Sequence, residues 1–246
     1  MAPLIAFIHW EIQKPDSLRF VEHVIVDEAQ DVTPLEWLLL DEINEADAWT
    51  ILGDLNQRRS DHTLATWAEV LEVIAIERET PIRKMQRGYR STRPILEYAN
   101  QLLPRDQRPV FAFQESGPLP TIRKVRERDL GDRALDELER LLDAYPSGTV
   151  AAICQTPSVV TNSLRIVGWV NDGRNRSIWT KGDRAVNILV PDAARGLEFD
   201  AVVVVEPAAF PTRYGRLGTL YTALTRANRE LAVVHATPLP KSLKAL

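Results

Sequence analysis

The chain has 246 residues, 45% of them hydrophobic and 26% charged, with a formal net charge of −4. These values fit one large or two small packed domains; they exclude a disordered chain and a strongly basic nucleic-acid-coating protein. No apolar run approaches the roughly 20 residues of a membrane-spanning helix, and a single cysteine, Cys154, rules out an internal disulfide and fits a reducing, cytoplasmic setting.

In chain order, MAPLIAFIHWEIQKPD (1–16) is apolar but short, and it lacks the basic leader and small-residue cleavage site of a signal peptide. VEHVIV (21–26) reads as a buried strand. TPLEWLLLDEINEA (33–46) reads as a helix with Thr33 as N-cap, Pro34 at the first helical position and Glu36 closing a capping box. WTILGD (49–54) is the next strand and LATWAEVLEVIA (64–75) the next helix. PIRKM (81–85) is expected to be a strand, STRPILEYANQLL (91–103) a helix, and the proline-bearing stretch 104–120 a loop. TIRKV, DRALDELERLLDAY and GTVAAIC repeat strand, helix, strand, and SVVTNSLRIVGWV fits a further helix. AVNILV (185–190) and FDAVVVVEP (199–207) are strands, LGTLYTALTRA (217–227) a helix and ELAVVH (230–235) a last strand. Alternating β and α units with continuous apolar strands predict an α/β fold whose parallel sheet is covered on both faces. The polar stretch IERET (76–80) is a plausible boundary.

Chemistry gathers at the ends of these elements. In HVIVDEAQD (23–31) a strand ends in Asp27 and Glu28, where open parallel sheets bind ligands. Asp27 suits a magnesium ion, directly or through water, and Glu28 suits the orientation or deprotonation of an attacking water. A solvated turn opening the next helix is an equal alternative, because carboxylates favour helix N-termini. ILGDLNQR (51–58) offers Gln57, an amide able to contact a phosphate. QRGYRST (86–92) offers Tyr89 for stacking and Arg90 for a phosphate. ARGLEFDAVVVVEP (194–207) brings Gly196, whose backbone can approach a ligand, and Glu198; LYTALTRA (220–227) brings Arg226, a candidate arginine finger. Surface arginine, turn glycine and core tyrosine are the competing readings for each fragment taken alone. His9, His23, His62 and His235 lack metal-ligand spacing, and Cys154 and the remaining tryptophans read as packing residues.

Taken in order, VIVDEAQD, GDLNQ, GYRST, RGLEFDAVVVVEP and LYTALTRA resemble motifs II to VI of UvrD/Rep-type superfamily 1 helicases. GDLNQRRSDHTLATWAEV and the stretch from VVVVEPAAF to HATPLP are similar to the HelD branch, motor ATPases that act on RNA polymerase. The resemblance implies two RecA-like domains with ATP and Mg2+ at their interface: residues 1–79 as the latter part of a first domain and 80–246 as the second. It assigns Asp27 to magnesium, Glu28 as the catalytic base and Gln57 as a γ-phosphate sensor. Tyr89 would stack on adenine, Arg90 and Arg226 would face the γ-phosphate, and Gly196 and Glu198 would lie by the nucleotide, Glu198 near the ribose. Trp67 would stack on a base of single-stranded DNA.

The sequence also departs from that pattern. It holds no Gly-Lys pair, and its first glycine, Gly53, follows motif II, so the family's G-x-x-x-x-G-K-[ST] phosphate loop is not among these residues. Val190 and Asp192 stand where such helicases place a Thr and a His against DNA, Arg195 replaces the usual Lys, and Gly88 replaces Asn. The expectation is therefore the C-terminal portion of an ATP-dependent motor, with the phosphate loop supplied by a separate polypeptide and single-stranded DNA or RNA polymerase as the target. The competing expectation is a non-enzymatic remnant that binds nucleic acid or RNA polymerase. A first domain reduced to its latter half would leave a sheet edge open.

Overall fold

The computed structural model describes residues 2–13, 21–58, 62–76, 80–85, 87–104, 108, 111–171, 173–212 and 218–243. The chain divides into two compact units, Met1–Lys84 and Met85–Leu246.

In the first unit, helix α1 (Ala2–Gln13) precedes two short parallel strands, β1 (Val24–Val26) and β2 (Trp49–Ile51), paired Val24 to Trp49 through Val26 to Ile51. Helices α2 (Pro34–Ile43) and α3 (Trp67–Val73) each begin with a complete capping box, Thr33 with Glu36 and Thr66 with Glu69. The first was legible in the sequence, because a threonine three residues before a glutamate satisfies two otherwise orphan backbone donors reciprocally. Val26, Ala29, Trp37, Val70 and Ile74 form the core between the strand pair and these helices. Strand alternation turns Ile25 to the other face, where it is 69% exposed.

The second unit runs β3 (Arg87–Thr92), α4 (Arg93–Asn100), β4 (Phe111–Gln114), β5 (Thr121–Lys124), α5 (Leu130–Ala144), β6 (Val150–Cys154), α6 (Ser158–Ile166), β7 (Ile178–Lys181), β8 (Arg184–Leu189), β9 (Phe199–Val205), α7 (Gly218–Leu224) and β10 (Ala227–His235). Six strands form one sheet in the order β5-β10-β9-β6-β8-β7, parallel throughout except for the β7–β8 pair. Its central strands alternate between two cores. Ala151, Ile153, Val202, Val204, Leu231 and Val233 pack beneath α4 and α7. Val150, Ala152, Cys154, Val203, Val205, Ala232 and Val234 pack beneath α5 and α6. Side chains alternating with period two between two apolar cores are what makes β9, FDAVVVV, a nearly unbroken apolar run. The expected α/β fold with a mainly parallel sheet covered on both faces is therefore present. Cys154 is buried, and burial pushes its thiol up to about 12, as befits a packing residue.

Three expectations are corrected. PIRKM is not a strand: Ile82 and Met85 are 51% and 80% exposed, with no sheet to receive them. The strand is β3, six residues of little apolar content that are extended because they pair with β4 in a separate two-stranded sheet. The expected loop 104–120 contains β4, and β7 was not foreseen; both are four-residue strands at or outside the sheet margin, too short to show a periodic signal.

One close contact fixes how the helices over the second core meet. A Cβ at Gly131 would lie 2.3 Å from the Val159 carbonyl oxygen and 2.7 Å from Ser163 Oγ, so α5 approaches α6 through glycine. Gly131→Ala is expected to destabilise the second unit by about 2 kcal/mol, read as a lower denaturant midpoint with unchanged slope. An unchanged midpoint would mean that the helices separate freely.

Candidate functional site

The first unit carries its candidate residues on two turns at the ends of β1 and β2. Asp27 is exposed, and its Oδ1 accepts the Glu28 N–H at 2.8 Å. Glu28 is left-handed, with φ 53° and ψ 38°, and opens the 3-10 turn Ala29–Asp31. A non-glycine residue in this region costs of order 1–3 kcal/mol, so the surroundings must hold it there. Gln30, 1% exposed, supplies that hold: its side-chain N–H donates to Glu28 Oε2, and its Oε1 accepts the Asp54 N–H at 2.9 Å. Asp54 Oδ2 in turn accepts from Gln57 Nε2 at 3.0 Å. The relay Glu28–Gln30–Asp54–Gln57 thus ties DEAQD to GDLNQ. Gly53 makes room for it, since a Cβ there would sit 2.4 Å from Gln30 Oε1 and 3.0 Å from the Ala29 nitrogen.

The donor chemistry at Asp27 fits a hard divalent cation, with water and phosphate oxygens as the remaining ligands. Among the described residues no group of three or more His, Cys, Asp or Glu side chains gathers into a closed cage. Trp67 is half-buried at the start of α3 and packs against the first unit's core.

In the second unit, three segments far apart in sequence meet at the N-terminal ends of β9 and β10. Arg90, from β3, pairs with Glu198, just before β9, at 2.5 Å. Arg226, just before β10, is 2% exposed; its Nε donates to the Thr222 carbonyl and its Nη1 to the Leu197 carbonyl, both at 3.2 Å. Ser91 Oγ donates to the Ala227 carbonyl at 2.7 Å, pinning β3 to the turn that carries Arg226. Gly196 has φ +67° with nothing within 4 Å of an added Cβ, so its turn needs glycine for backbone conformation rather than for space. The 195–198 turn is therefore held from two sides, through Leu197 by Arg226 and through Glu198 by Arg90.

The two arginines differ in what they can do. The Arg90 and Glu198 side chains are 61% and 36% exposed, and an ion pair in that setting contributes about 0–1 kcal/mol. A phosphate can take over the Arg90 guanidinium at little cost. Arg226 is a buried cation at the C-terminal end of α7, where the helix dipole and its last carbonyls favour it. Tyr89 is 54% exposed and lies beside Phe113, which is 64% exposed, with ring centroids 5.5 Å apart. At the C-terminal ends of β9 and β10 in the six-stranded sheet, Glu206 accepts the Ala236 N–H at 2.9 Å and the Thr237 hydroxyl.

Sequence reasoning missed Gln30, Ser91 and Phe113. The first two lie inside quoted motifs, and their signal is a polar residue held at a fixed place in a turn. Phe113 gives none, because a four-residue strand is too short to show a periodic signal.

Residues 192–234 match the UvrD-like helicase C-terminal domain. That segment contains Gly196, Glu198 and Arg226. The chain resembles the C-terminal portion of a superfamily 1 helicase. A 106-residue stretch is 28% identical to the ATP-dependent DNA helicase srs2 of Schizosaccharomyces pombe, covering 42% of this chain and 12% of that protein's length. Among solved structures, the C-terminal domain of a possible DNA helicase from Lactobacillus plantarum is 26% identical, over 63% of this chain and 92% of that one, with a TM-score of 0.48. The PRRSV helicase aligns at 15% identity over 86% of this chain and 34% of its own, with a TM-score of 0.45. No helix among the described residues is long and apolar enough to cross a membrane.

Proposed function

We propose that the chain is the C-terminal portion of an ATP-dependent superfamily 1 DNA helicase or translocase of the UvrD/HelD type. Residues 1–79 would be the latter part of a first RecA-like domain and 80–246 the second. The observation that carries this reading is the meeting of Arg90, Glu198 and Arg226 from three separate motifs within one unit. In it, Glu28 activates the attacking water, Gln57 reports the γ-phosphate, Asp27 serves Mg2+, and Tyr89 takes the adenine. Bound Mg2+ would neutralise charge on the phosphates.

The residues of this chain fit only part of an ATP. An exposed ring and a weakly held guanidinium are available for base and phosphate. The backbone cradle and lysine of a phosphate loop are not in the sequence, which has no Gly-Lys pair. The reading therefore requires a phosphate loop from outside residues 1–246; the partner it proposes is single-stranded DNA or RNA polymerase.

Steady phosphate release tests it. The chain alone should release none. The chain mixed with a phosphate-loop half from a homologous helicase should turn over, and Glu28→Gln in that mixture should cut the rate by about 100-fold or more. Release by the chain alone that is lost in Glu28→Gln would overturn the requirement for a second half. If the mixture stays silent while the chain captures single-stranded DNA or RNA polymerase irrespective of ATP, the non-enzymatic reading stands instead.

A further inference from the structure

We infer that Phe113 is a second ring of a nucleobase platform, backing Tyr89 on the two-stranded β3–β4 sheet. The inference rests on the proposed nucleotide-dependent function and names a binding residue that the motif set does not contain.

The two rings lie with centroids 5.5 Å apart and planes tilted by 32°, a separation at which aromatic pairs attract. Both remain largely in water, Tyr89 at 54% and Phe113 at 64% exposure. Folding gains little from a phenylalanine left in solvent on a short strand whose neighbours Gln114 and Glu115 are also exposed. The backbones beneath the rings are held. The sheet pairs Gly88 with Ala112 and Thr92 with Gln114, and Gln114 Nε2 donates to the Arg90 carbonyl at 3.2 Å. Ser91 is fixed to the Ala227 carbonyl. The ring pair is thus presented on fixed strands, which lowers the ordering cost of binding.

A flat ligand with a π face suits two adjacent rings, and Arg90, the next residue of β3, carries an exposed guanidinium able to bind a phosphate. The shared chemistry is an unpaired nucleobase carrying phosphate. It has two sources, a free nucleotide or a base of a single strand. Phe113 limits the tilt of the Tyr89 ring and adds apolar area next to the bound base.

The test titrates the full chain with the fluorescent nucleotide mant-ADP and, separately, with a short fluorescein-labelled deoxythymidine oligonucleotide. It compares the wild type with Phe113→Leu, Phe113→Ala, Phe113→Trp and Tyr89→Ala. Phe113→Leu keeps apolar volume and removes the ring. Because residue 113 is exposed, denaturant midpoints should match the wild type and so separate binding from folding. The expected result is binding of at least one probe, weakened about fivefold or more in Phe113→Leu, Phe113→Ala and Tyr89→Ala, and kept in Phe113→Trp. The probe that loses affinity identifies the source of the base. If Tyr89→Ala weakens binding and both Phe113 variants leave it unchanged, the inference falls and the proposed function stands. If the wild type binds neither probe, the platform falls, while the proposed function, which needs a phosphate loop from outside residues 1–246, stands or falls with the phosphate-release test.

Discussion

Replacing Arg226 by alanine is expected to lower the stability of the second unit by about 3 kcal/mol. The guanidinium is 2% exposed and donates to two backbone carbonyls, Thr222 at the end of α7 and Leu197 in the turn before β9. Alanine removes donors from both carbonyls and leaves a cavity, and each effect alone costs of order 1–3 kcal/mol. Arg226→Lys should recover part of the loss, since it keeps the charge at the helix terminus but not the forked geometry that reaches both carbonyls. Guanidinium-chloride unfolding of the second unit reads the effect directly. The outcome also bears on mechanism. An arginine finger presents its guanidinium to a phosphate, and in this structure the guanidinium bonds the Thr222 and Leu197 carbonyls. If Arg226→Ala unfolds at the wild-type midpoint, the two carbonyl bonds contribute nothing to the stability of that turn.

Gln30→Leu is expected to destabilise the first unit by about 2–3 kcal/mol. Leucine is close in volume, so the loss comes from polar groups rather than packing. Gln30 is 1% exposed, and its amide satisfies the Glu28 carboxylate on one side and the Asp54 N–H on the other. Leaving buried polar partners unmade costs about 1–3 kcal/mol each, with charged groups at the upper end. Glu28 would also lose the contact that helps hold its left-handed backbone. The measurement is a urea titration followed by tryptophan fluorescence, since Trp37 sits at the centre of this unit's core and Trp49 packs against it. A midpoint within error of the wild type would show that water replaces the amide on both sides.

The legible part of this molecule is the part governed by burial on two faces. β6, β9 and β10 announce themselves as apolar runs because Val150–Cys154, Ala201–Val205 and Leu231–Val234 alternate between the two cores, and Thr33 with Glu36 announces a helix start because the capping box is local. The illegible part depends on partners distant in sequence. GYRST has little strand character of its own and is extended because Phe111–Gln114 lies alongside it. The chemistry-bearing positions were readable as an ordered set, but what each side chain does was not. Nothing in LYTALTRA says that its arginine turns inward to Leu197, and nothing in RGLEFD says that its glutamate meets Arg90, because both depend on how β3, β9 and α7 are assembled.

The exposed Ile25 bears on how the chain opens. β1 and β2 are three residues each and bury one face only, while the second unit's sheet has six strands buried on both. Helices α2 and α3 cover one face of this strand pair and leave Ile25 in solvent on the other, so the pair is held by less packing than strands buried on both faces. Free energies of local opening scale with such packing, so the amide protons of Val24–Val26 and Trp49–Ile51 belong to a weak foldon and those of β9 and β10 to a strong one. The carboxylates at Asp27 and Glu28 therefore ride on a segment that opens more readily than the strands of the second unit's core.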